Sequence, residues 1–130
     1  MITKLNRMKK YLKKATHLNF TRYCKVLKLR DNETLIKKYI DIHQPDNIWR
    51  EIPKGIKEVG IIDMEIWLHG NLAFMIMDTV PDFDHDKAMK KLGSLPRQKE
   101  WEEFVSQFQQ AGAKADTPEK WQLIERIFRL

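Results

Sequence analysis

The spacing of apolar and polar positions changes several times along the chain, and each change predicts a change of element. From Thr21 to Leu29 the run TRYCKVLKL sets Tyr23, Val26, Leu27 and Leu29 imperfectly against Arg and Lys and is rich in strand formers. It predicts a first strand. The spacing then lengthens: Leu35, Ile36, Tyr39, Ile40 and His43 follow a helical period, behind Asp31 and Asn32, either of which can cap the start. Pro45 lacks a backbone donor and pushes Gln44 out of helical backbone, so this helix ends near His43. A second helical stretch is expected from about residue 47 to 59, apolar at Ile48, Trp49, Ile52, Ile56 and Val59, with a kink or a new first turn at Pro53. Gly60 is placed to cap its end.

Two apolar arms, IIDMEIWL (61–68) and LAFMIMDTV (72–80), flank His69-Gly70-Asn71 and predict a β-hairpin. In the first arm Met64, Ile66 and Leu68 share one face while Glu65, Trp67 and His69 share the other. The second arm is apolar on nearly both faces, as expected of a central strand covered on both sides. The acidic turn VPDFDHD leads into KAMKKLGSL, a short helix, and Pro96 suits the first turn of the next helix with Ser94 as its cap. Trp101, Phe104, Val105 and Phe108 fall on one stripe of that helix, and AGAKADTPE (111–119) reads as a loop.

The closing WQLIERIFRL satisfies a helix or a buried strand. The order of the preceding elements selects the strand, because it completes a βαββαβ pattern, the α+β ferredoxin-like arrangement. Such a domain packs its helices on one face of an antiparallel sheet and leaves the other in need of cover. A second copy supplies it, so a homodimer with facing sheets, a dimeric α/β barrel, is expected. No internal repeat or low-complexity tract is present.

Charge divides the chain in two. Lys4, Arg7, Lys9, Lys10, Lys13 and Lys14 lie within residues 1–19, which hold no acidic residue. Removing these six from the 24 basic residues leaves 18 against 18 acidic ones, so the net charge of +6 belongs to the start of the chain. Residues 1–19 are read as a basic, flexible extension and residues 20–130 as a single domain. A basic tail can attract phosphate backbones or anionic membranes, but the neutral remainder argues against a nucleic-acid partner. No apolar stretch or small-residue cleavage site of a targeting peptide follows it. At 130 residues the chain can bury a core without staples. The lone Cys24 excludes an intrachain disulfide and fits a reducing compartment, and no apolar run approaches a membrane span, so a soluble, cytoplasmic protein is expected.

The signatures of nucleotide-binding loops, zinc proteases and α/β-hydrolases are missing. Of four histidines, His17 lies in the basic segment and His69 at the hairpin turn. His85 sits between Asp84 and Asp86, where acidic residues favour a helix start and no second ligand cluster accompanies them; no metal is expected. His43 has more useful company. Tyr39 lies one turn back, and Trp49 and Trp101 offer flat apolar faces, a combination that suits the hydroxyls and C–H face of a sugar. Spacing alone leaves two readings open: a histidine satisfied inside the core, or an acid/base in a site.

From about Arg22 to Leu130 the chain resembles the L-rhamnose mutarotase family, in particular its branch associated with L-fucose. The resemblance rests on RYCKVLKL, Y-x-x-x-H at Tyr39 and His43, NIWREIPKGIKEVGIIDMEIW, NLAFMIMDTV, LPRQKEWEEF and the terminal EKWQLIERIFRL. It implies a cofactor-free dimeric ferredoxin-like barrel that interconverts the α and β anomers of a deoxyhexose. It also implies Tyr39 and His43 as the catalytic pair and Trp101, with Trp49, as a stacking wall; Glu100, Glu65 and His69 are further expected hydroxyl contacts. The chain departs from the rhamnose members in a longer gap between His43 and Trp49, and in Glu100-Trp101 where they carry a Trp-Trp pair. Both departures fall at expected sugar contacts and bear on which sugar is taken. Two other classes share the expected fold: cofactor-free monooxygenases with haem-degrading relatives, and non-catalytic nucleic-acid-binding modules.

Overall fold

The computed structural model describes residues 10–13, 19–110 and 120–130. Its elements run β1 (Thr21–Lys28), α1 (Glu33–Ile42), α2 (Glu51–Glu58), β2 (Ile61–His69), β3 (Leu72–Thr79), α3 (His85–Gly93), α4 (Gln98–Ser106) and β4 (Gln122–Ile124). The four strands form one sheet in the order β2-β3-β1-β4, every neighbouring pair antiparallel. With two helices in each crossover, this is the expected α+β, ferredoxin-like arrangement.

Strand alternation decides what each face carries. The register pairs Tyr23 with Met77, Lys25 with Met75 and Leu27 with Ala73, and Met77, Met75 and Ala73 with Met64, Ile66 and Leu68 in turn. These side chains share one face. Leu27, Leu29 and Ala73 join Tyr39, Ile42, Ile52, Trp101, Val105 and Phe108 in the principal core, so the helices cover that face. The opposite face carries Arg22, Cys24, Val26, Phe74, Ile76 and Asp78, with Ile124 beside Cys24. There Arg22 makes a fork to its cross-strand partner, Nε–H to Asp78 Oδ1 at 2.7 Å and Nη2–H to Oδ2 at 3.0 Å. The hairpin turns at Gly70, whose φ of 59° is the left-handed backbone that favours glycine.

Several expected boundaries move, each for a local reason. Residues 44–50 are turns, and α2 starts at Glu51 instead of residue 47. Pro53 is its third residue, within the first turn, where no backbone donor is required. Gly60 ends the stretch as expected, at φ 101° with its N–H donating to Lys57 O at 3.1 Å. Ser94 closes α3 instead of opening α4, its Oγ–H donating to Lys91 O at 2.7 Å. In α1 the buried stripe is Tyr39 and Ile42, and Ile40, expected inward, is 44% exposed. β4 is the expected strand, but it spans only three residues and is exposed, as are Ile127, Phe128 and Leu130. The expected loop at 111–119 lies outside the described residues, as do residues 1–9 and 14–18. Of the basic stretch, Tyr11 packs edge-on against Trp67 with ring centroids 5.1 Å apart, and Lys13 forms ion pairs with Asp63 and Glu65.

α4 opens on Arg97, the only non-glycine at positive φ among the described residues (φ 65°, ψ 1°). Its guanidinium sits 4.0 Å from the Trp49 ring centroid, 3.8 Å from Glu51 and 3.6 Å from Glu100. Left-handed backbone costs an L-residue about 1 kcal/mol, and a cation over an exposed indole returns about 0.5–1 kcal/mol. Arg97→Ala removes the contact and keeps the strain; Arg97→Gly removes both. In urea unfolding, Arg97→Gly is therefore expected to be more stable than Arg97→Ala by about 1 kcal/mol.

Candidate active site

α1 ends where its chain runs out of backbone donors. Pro45 has no N–H to offer Asp41 O, which accepts Gln44 N–H at 3.1 Å instead, and side chains add to the bonds of the last carbonyls. Asn47 donates Nδ2–H to Asp41 O at 2.9 Å, and Gln44 donates Nε2–H to Ile40 O at 3.0 Å. The backbone N–H of His43 turns to Ile40 O at 3.2 Å, which leaves the Tyr39 carbonyl to the imidazole, Nδ1 lying 2.7 Å from it. A carbonyl only accepts, so Nδ1 carries the hydrogen and Nε2 keeps its lone pair.

This contact holds the His43 ring 4.5 Å from the Tyr39 ring and 5.5 Å, nearly perpendicular, from Trp101. Burial lowers the His43 pKa from its ordinary value, with the hydrogen bond to the Tyr39 carbonyl partly opposing it. The imidazole is therefore neutral at pH 7. Burial pushes the Tyr39 phenol far above its ordinary pKa, so it stays protonated. One turn of helix thus presents a neutral base and a neutral hydrogen-bond donor side by side.

Both side chains line a cavity of about 1480 Å³ between the helices and the covered face of the sheet. Trp101, 6% exposed, forms part of its wall, and Lys25, Gln98 and Gln109, all buried, also line it. Lys25 Nζ lies 3.8 Å from Met89 Sδ. His85 borders the cavity over Tyr23, with Nδ1 2.9 Å from Asp86 Oδ1 and Nε2 buried without a partner. Among the described residues no three His, Cys, Asp or Glu side chains cluster as metal ligands, and no helix is long and apolar enough to cross a membrane.

The other expected contacts lie elsewhere. Trp49 stands behind Trp101 at 5.2 Å and stacks on Phe104, buttressing the wall without lining the cavity. Glu100 is exposed and faces Arg97. Glu65 belongs to the opposite side of the sheet, where it accepts from Trp67 Nε1–H at 2.9 Å and pairs with Lys13, the largest cause of its lowered pKa. His69 is exposed at the end of the hairpin. Lys25, Gln98 and Gln109 were not singled out from sequence, although each interrupts an apolar pattern. Lys25 shares the inward face of β1 with Tyr23, Leu27 and Leu29, while Gln98 and Gln109 extend the stripe of Trp101 and Val105.

Comparison with known proteins identifies the family. Residues 22–130 match the family model described as L-rhamnose mutarotase. The chain is 34% identical over 113 residues to an L-fucose mutarotase of Xanthomonas campestris pv. campestris, covering 87% of this chain and 90% of that protein. It is 29% identical over 118 residues to a UPF0734 protein of Dictyostelium discoideum, covering 86% of this chain and 91% of that one. In fold it is similar to the crystal structure of an L-rhamnose mutarotase from Formosa agariphila, with a TM-score of 0.62 at 19% identity, over 85% of this chain and 98% of that one. With a model match that takes in β1 through β4 and every residue of the cavity wall named above, the chain belongs to the L-rhamnose mutarotase family.

Proposed function

We propose that this protein is a sugar mutarotase that interconverts the α and β anomers of a deoxyhexose, L-rhamnose or L-fucose, by ring opening and closure. The observation that carries this reading is the Tyr39–His43 pair on the cavity, with Nδ1 of His43 committed to the Tyr39 carbonyl and Nε2 left as a base. Mutarotation needs no more than proton movement between two oxygens on one carbon. His43 Nε2 takes the proton of the anomeric hydroxyl, the bond from C1 to the ring oxygen breaks, and C1 becomes the carbonyl carbon of the open aldehyde. Because the anomeric and ring oxygens are both bonded to C1, the imidazolium hands the same proton to the departing ring oxygen. Rotation about C1–C2 turns the other face of the aldehyde, and the steps run backwards to the other anomer. Tyr39, kept protonated by burial, donates a hydrogen bond to the ring oxygen as charge gathers there. Trp101 supplies the apolar wall for the sugar's C–H face.

A positioned acid or base contributes about 10² to 10⁴ in rate. His43→Ala is expected to lower kcat/KM by that factor in NMR saturation transfer between the anomers of L-rhamnose and L-fucose; an unchanged rate removes His43 from the reaction. Tyr39→Phe loses one hydrogen bond and is expected to lower kcat by about tenfold.

The sign of the His43 shift sets the pH response. A base whose folded pKa is depressed binds fewer protons in the native than in the unfolded state, so its contribution to stability is present above the ordinary value of about 6.5 and is lost as pH falls through the folded pKa. The rate is expected to hold through neutrality and to fall on acidification with a midpoint below about 6.5. His43→Asn is expected to flatten the slope of urea stability against pH in the same range.

The working unit we propose is a homodimer with facing sheets, because the uncovered face places Val26, Phe74, Ile76 and Ile124 together. Sedimentation equilibrium is expected to give twice the chain mass, and Ile76→Glu, a charge at the centre of that face, the mass of one chain.

A further inference from the structure

Among the described residues only two buried side-chain polar atoms lack a hydrogen-bond partner, Gln109 Oε1 and His85 Nε2, and both residues border the same cavity. Folded proteins seldom leave a buried amide oxygen unpaired, because nothing replaces the water it gave up. His85 lies over Tyr23, toward the start of β1, whereas Gln109 bridges Leu29 at the other end. That is also the end of Tyr39 and His43: Phe108, next to Gln109, packs 5.9 Å from the Tyr39 ring. Trp101, Val105 and Gln109 all line the cavity.

The backbone around Gln109 is pinned. Its own N–H donates to Ser106 O at 3.2 Å, Gln110 N–H donates to Lys28 O and Arg30 N–H to Phe108 O, each at 2.9 Å. Gln109 is 5% exposed. A buried acceptor on the wall of the cavity that Tyr39 and His43 also line is matched by a ligand that brings a hydroxyl hydrogen.

We propose that Gln109 is a specificity-determining residue: its Oε1 accepts a hydrogen bond from one hydroxyl of the bound sugar, at a position other than the anomeric carbon. The inference rests on the mutarotase reading above. It makes the site dependent on that hydroxyl, because a sugar without it leaves Oε1 buried and unpaired.

Anomer exchange is measured for the wild type and for Gln109→Met, of similar volume but without the acceptor, on L-fucose, L-rhamnose and their singly deoxygenated analogues. The thermal midpoint of each unliganded protein is measured alongside. The wild type is expected to lose about tenfold in kcat/KM on one particular deoxy analogue. Gln109→Met is expected to show about the same loss on the parent sugar and no further loss on that analogue. Its unliganded midpoint stays equal to that of the wild type or rises, since a structural hydrogen bond is not being removed. A fall in midpoint with unchanged KM, or full retention of the discrimination by Gln109→Met, overturns the inference while the mutarotase reading stands. Absence of exchange by the wild type on both sugars overturns the reading, and the inference with it.

Discussion

The hydrogen bond from His43 Nδ1–H to the carbonyl of Tyr39 joins the folding problem of this chain to its chemistry. A helix that stops leaves its last carbonyls without backbone partners, and Pro45 sharpens the shortage by withholding one more donor. Side chains of His43, Gln44 and Asn47 help fill the gap, each on a successive carbonyl, with backbone N–H groups still reaching Ile40 O and Asp41 O. In the case of His43 the filling has a second effect. It fixes the tautomer and the ring, so the remaining nitrogen is a base held in place before any substrate arrives. The segment between His43 and Ile48 is therefore the cap of α1, directly behind the imidazole in the chain.

Burial around that cap sets the electrical character of the site. The phenol of Tyr39 and the imidazole of His43 are both held neutral by desolvation, one by raising its pKa and the other by lowering it. The substrate of the proposed function, a sugar, is neutral as well. In the proposed function, directional hydrogen bonds and an aromatic face carry its recognition. Trp101 holds its position through Trp49 and Phe104, and Trp49 lies beneath the Arg97 guanidinium, so the wall is braced from behind by groups that never border the cavity.

Local signals made much of this legible. Alternation marked β1, the Gly70 turn marked the hairpin, and Pro45 marked the end of α1, because each depends on residues close in sequence. The misplacements came from competition between neighbours. Ile48 and Trp49 continue the apolar spacing of α2, but Asn47 before them is occupied in ending α1; Ser94 can cap either adjacent helix and takes the earlier one. Tyr39 and His43 were visible as a pair, yet spacing could not separate core from cavity, which only the packing of α1 against Trp101 and Phe108 decides. Glu65 and His69 illustrate the complement: polar residues on a strand are readable as one face, but not which face meets the helices. Lys25 and Gln109 stayed hidden because polarity along a chain is read as exposure, and these two are buried.

The seat of Tyr11 and Lys13 on β2 bears on assembly. Tyr11 covers an edge of the Trp67 ring, and Lys13 closes on Asp63 and Glu65, all on the side of the sheet away from the helices. A body that needs the place of Tyr11 on Trp67 competes with it, so the two associations are thermodynamically linked and each weakens the other by the same factor. Exposed ion pairs contribute little individually and are screened by salt. The hold of this basic segment is thus a term that ionic strength can vary, and the sheet's readiness for a partner varies inversely with it.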